Sequence, residues 1–135
     1  MLLDTGCIVA LLDRSERYHE ACKEALEELG APLVTSEAVI AEACWLLRKL
    51  RGAADAVLRN VEDGIFTIPL PLASSTAPIR SLMKKYARVP MDLADACLVN
   101  LADELGTGRI LTLDGDFRIY RWRRTRRFEL LVDVD

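Results

Sequence analysis

The sequence has one histidine, His19, and four cysteines, Cys7, Cys22, Cys44 and Cys97, none of them in a CxxC pair. A zinc site of the usual kind needs closely spaced His and Cys ligands, so imidazole or thiolate metal chemistry is disfavoured. His19, in Arg17-Tyr18-His19-Glu20, reads as a solvated helix residue. The cysteines are widely spaced in apolar surroundings and read as small core residues in a reducing compartment; their even number leaves disulfide pairing as the alternative. Long apolar runs are also missing: Asp4 breaks the first after three residues. Neither a signal peptide nor a membrane span is expected, and a cytoplasmic location follows. No GxGxxG fingerprint supports a dinucleotide fold. No low-complexity tract or linker divides the chain, and 135 residues, 51% apolar and 29% charged, suffice for one soluble domain over residues 1–135.

Charge is present but unevenly placed. Six of the 18 basic residues, all arginine, fall between Arg118 and Arg127, where there is no acid, so the other 12 face 21 acidic residues. Arg118, Arg121, Arg123, Arg124, Arg126 and Arg127, interleaved with Tyr120 and Trp122, suit a phosphate backbone and stacked bases. The plainer reading of the same segment is a solvated or partner-binding surface strand.

Along the chain, short apolar runs alternate with helical patterns. Strands are expected at Met1–Asp4, Pro32–Thr35, Ile65–Leu70, Ile110–Leu113 and Phe128–Val132, with Pro69 and Pro71 holding the third to an edge or an end. Helices are expected from Ile8 to Leu12, Glu16 to Leu29 closed by Gly30, and Glu37 to about Leu50 capped by Thr35 or Ser36. Further helices follow at Ala53–Asp63, Thr76–Ala87 and Asp92–Leu105, the last closed by Gly106. Strands separated by helices of this length imply right-handed crossovers, hence a three-layer α/β/α fold with a central, mainly parallel sheet.

That topology gives four acids a common address. Ligands of open α/β sheets gather beyond the carboxyl ends of the strands, where Asp4 and Asp114 each end a short apolar run. Glu42 lies in the second turn of the helix that follows Leu33-Val34-Thr35, within Val39-Ile40-Ala41-Glu42-Ala43-Cys44. Asp92 and Asp95 share one face of the first turn of a helix that is apolar nearly all round. Carboxylates beside an apolar layer must be neutralised, and a shared divalent cation does so while adding a function. Oxygen-only ligands select hard cations such as Mg²⁺. Each acid also has a structural reading: Asp92 as an N-cap with Asp95 at the third helical position, Glu42 as a surface position, and Asp4 and Asp114 as turn formers, the latter in Asp114-Gly115.

Four segments together resemble the PIN-domain ribonucleases, most closely the VapC-like toxins of toxin–antitoxin pairs. They are Leu3-Asp4-Thr5 with Ile8-Val9-Ala10-Leu11-Leu12, Ser36-Glu37-Ala38-Val39-Ile40-Ala41-Glu42, Asp92-Leu93-Ala94-Asp95-Ala96-Cys97-Leu98-Val99, and Ile110-Leu111-Thr112-Leu113-Asp114-Gly115-Asp116-Phe117. The resemblance implies a PIN-like fold and an endoribonuclease that uses Mg²⁺ or Mn²⁺ at Asp4, Glu42, Asp95 and Asp114, leaving a 5′-phosphate and a 3′-hydroxyl. It implies Asp116 as a further ligand and Thr5 and Thr112 as supporting hydroxyls. Asp92 is an additional acid, which leaves open whether five or six carboxylates form the site. The resemblance also implies a homodimer and a small VapB-like antitoxin whose tail crosses the acidic groove. The apolar residues of 16–29 or 77–86 could serve such contacts, although helical stripes of this kind also form core.

Other classes fit less well. A phospho-acceptor receiver needs an Asp ending its middle strand and a Lys near the last one, and neither follows Leu33-Val34-Thr35 or Phe128-Glu129-Leu130. A phosphatase with a nucleophilic Asp needs a second Asp two residues on, which Asp4-Thr5-Gly6 lacks. A non-catalytic RNA- or protein-binding module on the same fold is the alternative that shares the acids.

Overall fold

Leu2 and Leu3 have no solvent exposure, because the strand they form is the middle of the sheet and both its faces are covered. The computed structural model describes residues 1–134. In chain order they form β1 (Leu2–Leu3), α1 (Thr5–Leu12), α2 (His19–Leu29), β2 (Leu33–Val34), α3 (Glu37–Leu46), α4 (Ala53–Glu62) and β3 (Phe66–Thr67). A 3-10 turn at Leu72–Ser74 leads to α5 (Thr76–Lys85), α6 (Leu93–Leu105) and β4 (Arg109–Leu111). A second 3-10 turn, Gly115–Arg118, precedes β5 (Arg121–Trp122), β6 (Arg126–Arg127) and β7 (Glu129–Leu130).

Five strands make a parallel sheet in the order β3-β2-β1-β4-β7, while β5 and β6 pair antiparallel as a separate hairpin. The chain starts at the centre, moves outward through β2 and β3, then returns to place β4 on the other side of β1. The strand order therefore reverses between β1 and β4, and the crevice at their carboxyl ends is where such sheets bind ligands. With its six flanking helices the fold is three-layer α/β/α, as the alternation of elements implies, and the buried apolar residues of strands and helices join one cluster. β3 is an edge strand and ends at Thr67, before Pro69 and Pro71. No helix among the described residues is long and apolar enough to cross a membrane.

Several boundaries differ from the sequence expectation, each for a local reason. The first helix starts at Thr5 rather than Ile8, because Asp4 Oδ1 accepts the Thr5 N–H at 2.8 Å and so caps the helix as soon as the strand ends. The second starts at His19, since Asp13 accepts from both the N–H and the hydroxyl of Ser15 and holds a turn there. His19 is not a solvated residue: its Nδ1 lies 2.6 Å from the Ala10 carbonyl and ties α2 to α1. Helix α3 ends at Leu46 instead of near Leu50. Ser36 caps it, while the Thr35 hydroxyl donates to the Leu3 carbonyl and joins β2 to β1. Of the apolar positions in that stretch, Val39, Ile40, Ala43 and Leu47 are buried, but Leu46 and Leu50 face solvent. All four cysteines are free, and the Cys22 thiol donates to Cys7 Sγ at 3.3 Å.

Candidate active site

The switch point between β1 and β4 is lined by Asp4, Thr5, Gly6, Glu42, Leu46, Asp92, Asp95, Leu113, Asp114 and Gly115. Asp4 arrives there because β1 ends at Leu3, and its backbone N–H is held by the Leu111 carbonyl of the adjacent strand at 3.0 Å. Each of its oxygens is fixed. Oδ1 accepts from Thr5 N–H at 2.8 Å, and Oδ2 accepts from the Thr112 hydroxyl at 2.6 Å. Thr112 Oγ1 in turn accepts the Asp114 N–H at 3.0 Å, so one buried hydroxyl joins two acids from neighbouring strands.

Asp95 comes from the first turn of α6, where Asp92 caps the helix by accepting the Asp95 N–H at 2.8 Å. Its Oδ2 accepts a 2.8 Å hydrogen bond from the Tyr120 hydroxyl. Asp114 Oδ1 accepts from Asp116 N–H at 2.9 Å and opens the second 3-10 turn. Asp4, Asp95 and Asp114 each offer a carboxylate oxygen, all within 4.8 Å of one another. Glu42 and Asp92 line the same groove outside that trio, and Asp116 sits beside Asp114, whose ionisation its charge opposes.

The electrostatics of this cluster are unfavourable without a cation. Burial raises Asp4 to about 6; the Thr112 and Thr5 hydrogen bonds oppose the shift, and the charges of Asp114 and Glu42 add to it. Burial likewise raises Asp95 to about 8, with Tyr120 opposing and Asp92, Asp4 and Asp114 adding. Asp114 is raised chiefly by burial and then by Asp116 and Asp92. No salt bridge among the described residues reaches these carboxylates. Thr5 Oγ1, buried in the wall of the groove, has no hydrogen-bond partner. An all-oxygen donor set, unneutralised charge and an orphaned hydroxyl together fit a hard divalent cation.

The comparisons agree with this geometry. The PIN domain profile matches residues 1–122. The chain belongs to the PIN domain family. It is similar to the ribonuclease VapC26 of Mycobacterium tuberculosis, 34% identical over 116 residues that cover 84% of this chain and 86% of that protein. Its fold is similar to the crystal structure of Mycobacterium tuberculosis VapC20, a sarcin–ricin loop cleaving toxin. There the TM-score is 0.80 at 21% identity, over 93% of this chain and 98% of that one.

The arginine segment of this PIN domain is divided by the structure. Arg118 is exposed, and its guanidinium lies over Gly115 at the rim of the acidic groove. Arg121 Nη1 instead donates to the carbonyls of Arg118, Ile119 and Tyr120 at 2.8, 3.0 and 2.9 Å. Arg123 donates through its backbone N–H and its Nε to Asp103 near the carboxyl end of α6, roughly 12 Å along the helix from Asp95 at 1.5 Å per residue. Arg124, exposed, sits at the same hairpin tip. Tyr120 and Trp122 do not present faces for bases: both are buried, Tyr120 behind Asp95 and Trp122 with its Nε1 donating to the Arg127 carbonyl.

Tyr120, which the sequence suggested as a stacking face for bases, instead donates its hydroxyl to Asp95 at 2.8 Å, a contact the sequence did not suggest. The signal that could have found it is the spacing of Tyr120 from Phe117, three residues on in a tight turn, which places both rings on one inward face. Their centroids are 5.1 Å apart in an edge-to-face contact, with Tyr86 5.0 Å from Tyr120 on another side.

Proposed function

We propose that this PIN domain is a VapC-like endoribonuclease that hydrolyses RNA phosphodiester bonds with Mg²⁺ or Mn²⁺, as the toxin of a toxin–antitoxin pair. The observation that carries the reading is the convergence of Asp4, Asp95 and Asp114 oxygens within 4.8 Å at the sheet's switch point. The similarity to ribonuclease VapC26 supports RNA as substrate. The non-catalytic alternative shares these acids, and the similarity to a ribonuclease favours the enzyme over it.

Asp4, Glu42, Asp95 and Asp114 are the proposed catalytic and metal-holding acids, with Asp116 as a further ligand. A bound divalent cation supplies an activated water and charge neutralisation at the scissile phosphate. The chain's own residues do the positioning. Thr5 N–H and Thr112 Oγ1 fix both oxygens of Asp4, Tyr120 fixes one oxygen of Asp95 and leaves the other free, and Asp92 sets the first turn from which Asp95 projects. Preorganisation of this kind keeps the acids from reorienting as charge develops. Arg118 at the groove rim is placed to meet the RNA backbone; Arg121, Arg123 and Arg124 would contact RNA only outside the groove. A small VapB-like antitoxin and a second copy of the chain are the proposed partners, in the cytoplasm.

Incubation of the purified protein with labelled single-stranded RNA, with Mn²⁺ or with chelator, tests the reading. Cleavage should require the cation, and Asp4→Asn and Asp95→Asn should each lower it by about 100-fold or more while circular dichroism remains native-like. Cleavage that survives both chelator and either substitution would refute it.

A further inference from the structure

Trp45 is 62% exposed, on the same helix and one turn beyond Glu42, and its neighbour Leu46 lines the acidic groove while itself 53% exposed. At 100° per residue Trp45 lies about 60° from Glu42 around the axis of α3, on the side away from Leu46, so the indole belongs to the exposed face that flanks the groove and not to its lining. The Arg48 guanidinium covers one face of the indole at 3.7 Å, anchored by a 2.9 Å bond from its Nη1 to the Trp45 carbonyl. Arg48, Lys49 and Arg51 are exposed and form no ion pair among the described residues.

An exposed large aromatic held rigid by a cation, followed by further unpaired cations and bordering a phosphodiester site, has the composition of a single-strand stacking platform. The two aromatics of the arginine segment cannot fill that role because they are buried. We infer that Trp45, backed by Arg48, stacks a base of the RNA beside the scissile phosphate, and that Lys49 and Arg51 meet the backbone as it leaves the groove. Resting on the ribonuclease reading, this assigns the substrate a path from Arg118 at one rim to the carboxyl end of α3 at the other. Charge complementarity favours RNA as occupant: a purely apolar partner would leave three cations unmatched.

Two measurements test it. With Asp4→Asn as background, so that RNA is bound but not cut, a short single-stranded RNA of mixed sequence should quench the emission of Trp45, and Trp45→Phe on that background should remove the quench. Trp122, the only other tryptophan, is buried and supplies a constant signal. In the active protein with Mn²⁺, Trp45→Ala should raise KM by about tenfold with a much smaller change in kcat, and Trp45→Phe should recover most of the loss. Wild-type cleavage with an unchanged KM in Trp45→Ala and no quench would overturn the stacking subsite and leave the ribonuclease reading standing. An unchanged KM together with altered sedimentation of Trp45→Ala would assign this face to a second copy, again overturning it. If the wild type neither binds nor cleaves RNA, both readings fall.

Discussion

At the scale of single residues, Tyr120 holds an acid in place without touching substrate. Its ring is fully buried between Phe117 and Tyr86, and its hydroxyl meets Asp95 Oδ2 at 2.8 Å. That hydrogen bond favours the charged carboxylate, opposing the burial and the neighbouring acids that raise Asp95 to about 8. Tyr120→Phe keeps the ring contacts and removes only the hydroxyl, so Asp95 should become still harder to ionise and freer to rotate. The expected result is an acid limb of the pH–rate profile displaced to higher pH, and about tenfold lower kcat/KM at neutral pH that partly recovers in alkaline buffer. The check is kcat/KM with Mn²⁺ across the neutral to alkaline range. Wild-type kcat/KM with an unmoved limb would reduce Tyr120 to a packing role.

At the scale of elements, α6 shows what could be read from the chain and what could not. Its apolar circumference, its Asp92 cap and its closing Gly106 are all local signals, and local energetics decide helix ends. The same holds for Ser36 before α3, and hence for Glu42 two turns later. The hairpin of β5 and β6 was illegible, because its turn contains Arg123 and Arg124 at φ 44° and 70°, residue types that do not announce left-handed backbone. Two-residue strands are also too short to display the alternation that puts Trp122 inside. A buried Trp122 requires Gly108 beneath it, since a Cβ there would lie 2.0 Å from the indole nitrogen. Leu46 and Leu50 share the helical spacing of the core positions Val39, Ile40, Ala43 and Leu47 yet face solvent, whereas Cys22 and Ala25 of α2 and Ile79 of α5 are core. Gly106, at φ 69° with Arg123 Nη2 2.9 Å from where a Cβ would sit, tests the joint between hairpin and helix. Gly106→Ala should lower the unfolding free energy by about 1 kcal/mol, mostly from the left-handed backbone because the arginine tip can move. Urea denaturation measures this, and RNA cleavage should be unaffected, the substitution being at the end of α6 opposite Asp95.

At the scale of the whole molecule, the acid cluster should reverse the usual dependence of stability on pH. Most native carboxylates are stabilised in their charged form and lose that contribution on acidification. Here Asp4 is raised to about 6 and Asp95 to about 8, with Asp114 raised as well, all from 3.8. A carboxyl whose native value exceeds its unfolded one binds more protons when folded, so its stabilising contribution is full below 3.8 and fades as pH climbs through the native value. In chelator, the melting temperature should therefore fall between about pH 5 and pH 8.5 by several degrees, at roughly 3–4 °C per kcal/mol for a chain of this size. Divalent cation binds the ionised native cluster and not the dispersed acids of the unfolded chain, so its stabilisation should grow over the same interval. Melting curves recorded with chelator and with excess Mg²⁺ should diverge as pH rises, and Asp95→Asn should remove much of the divergence by taking away the most strongly raised acid. Parallel curves would mean that these carboxylates do not share a cation, and the metal-dependent nuclease would lose its physical basis even with the fold intact.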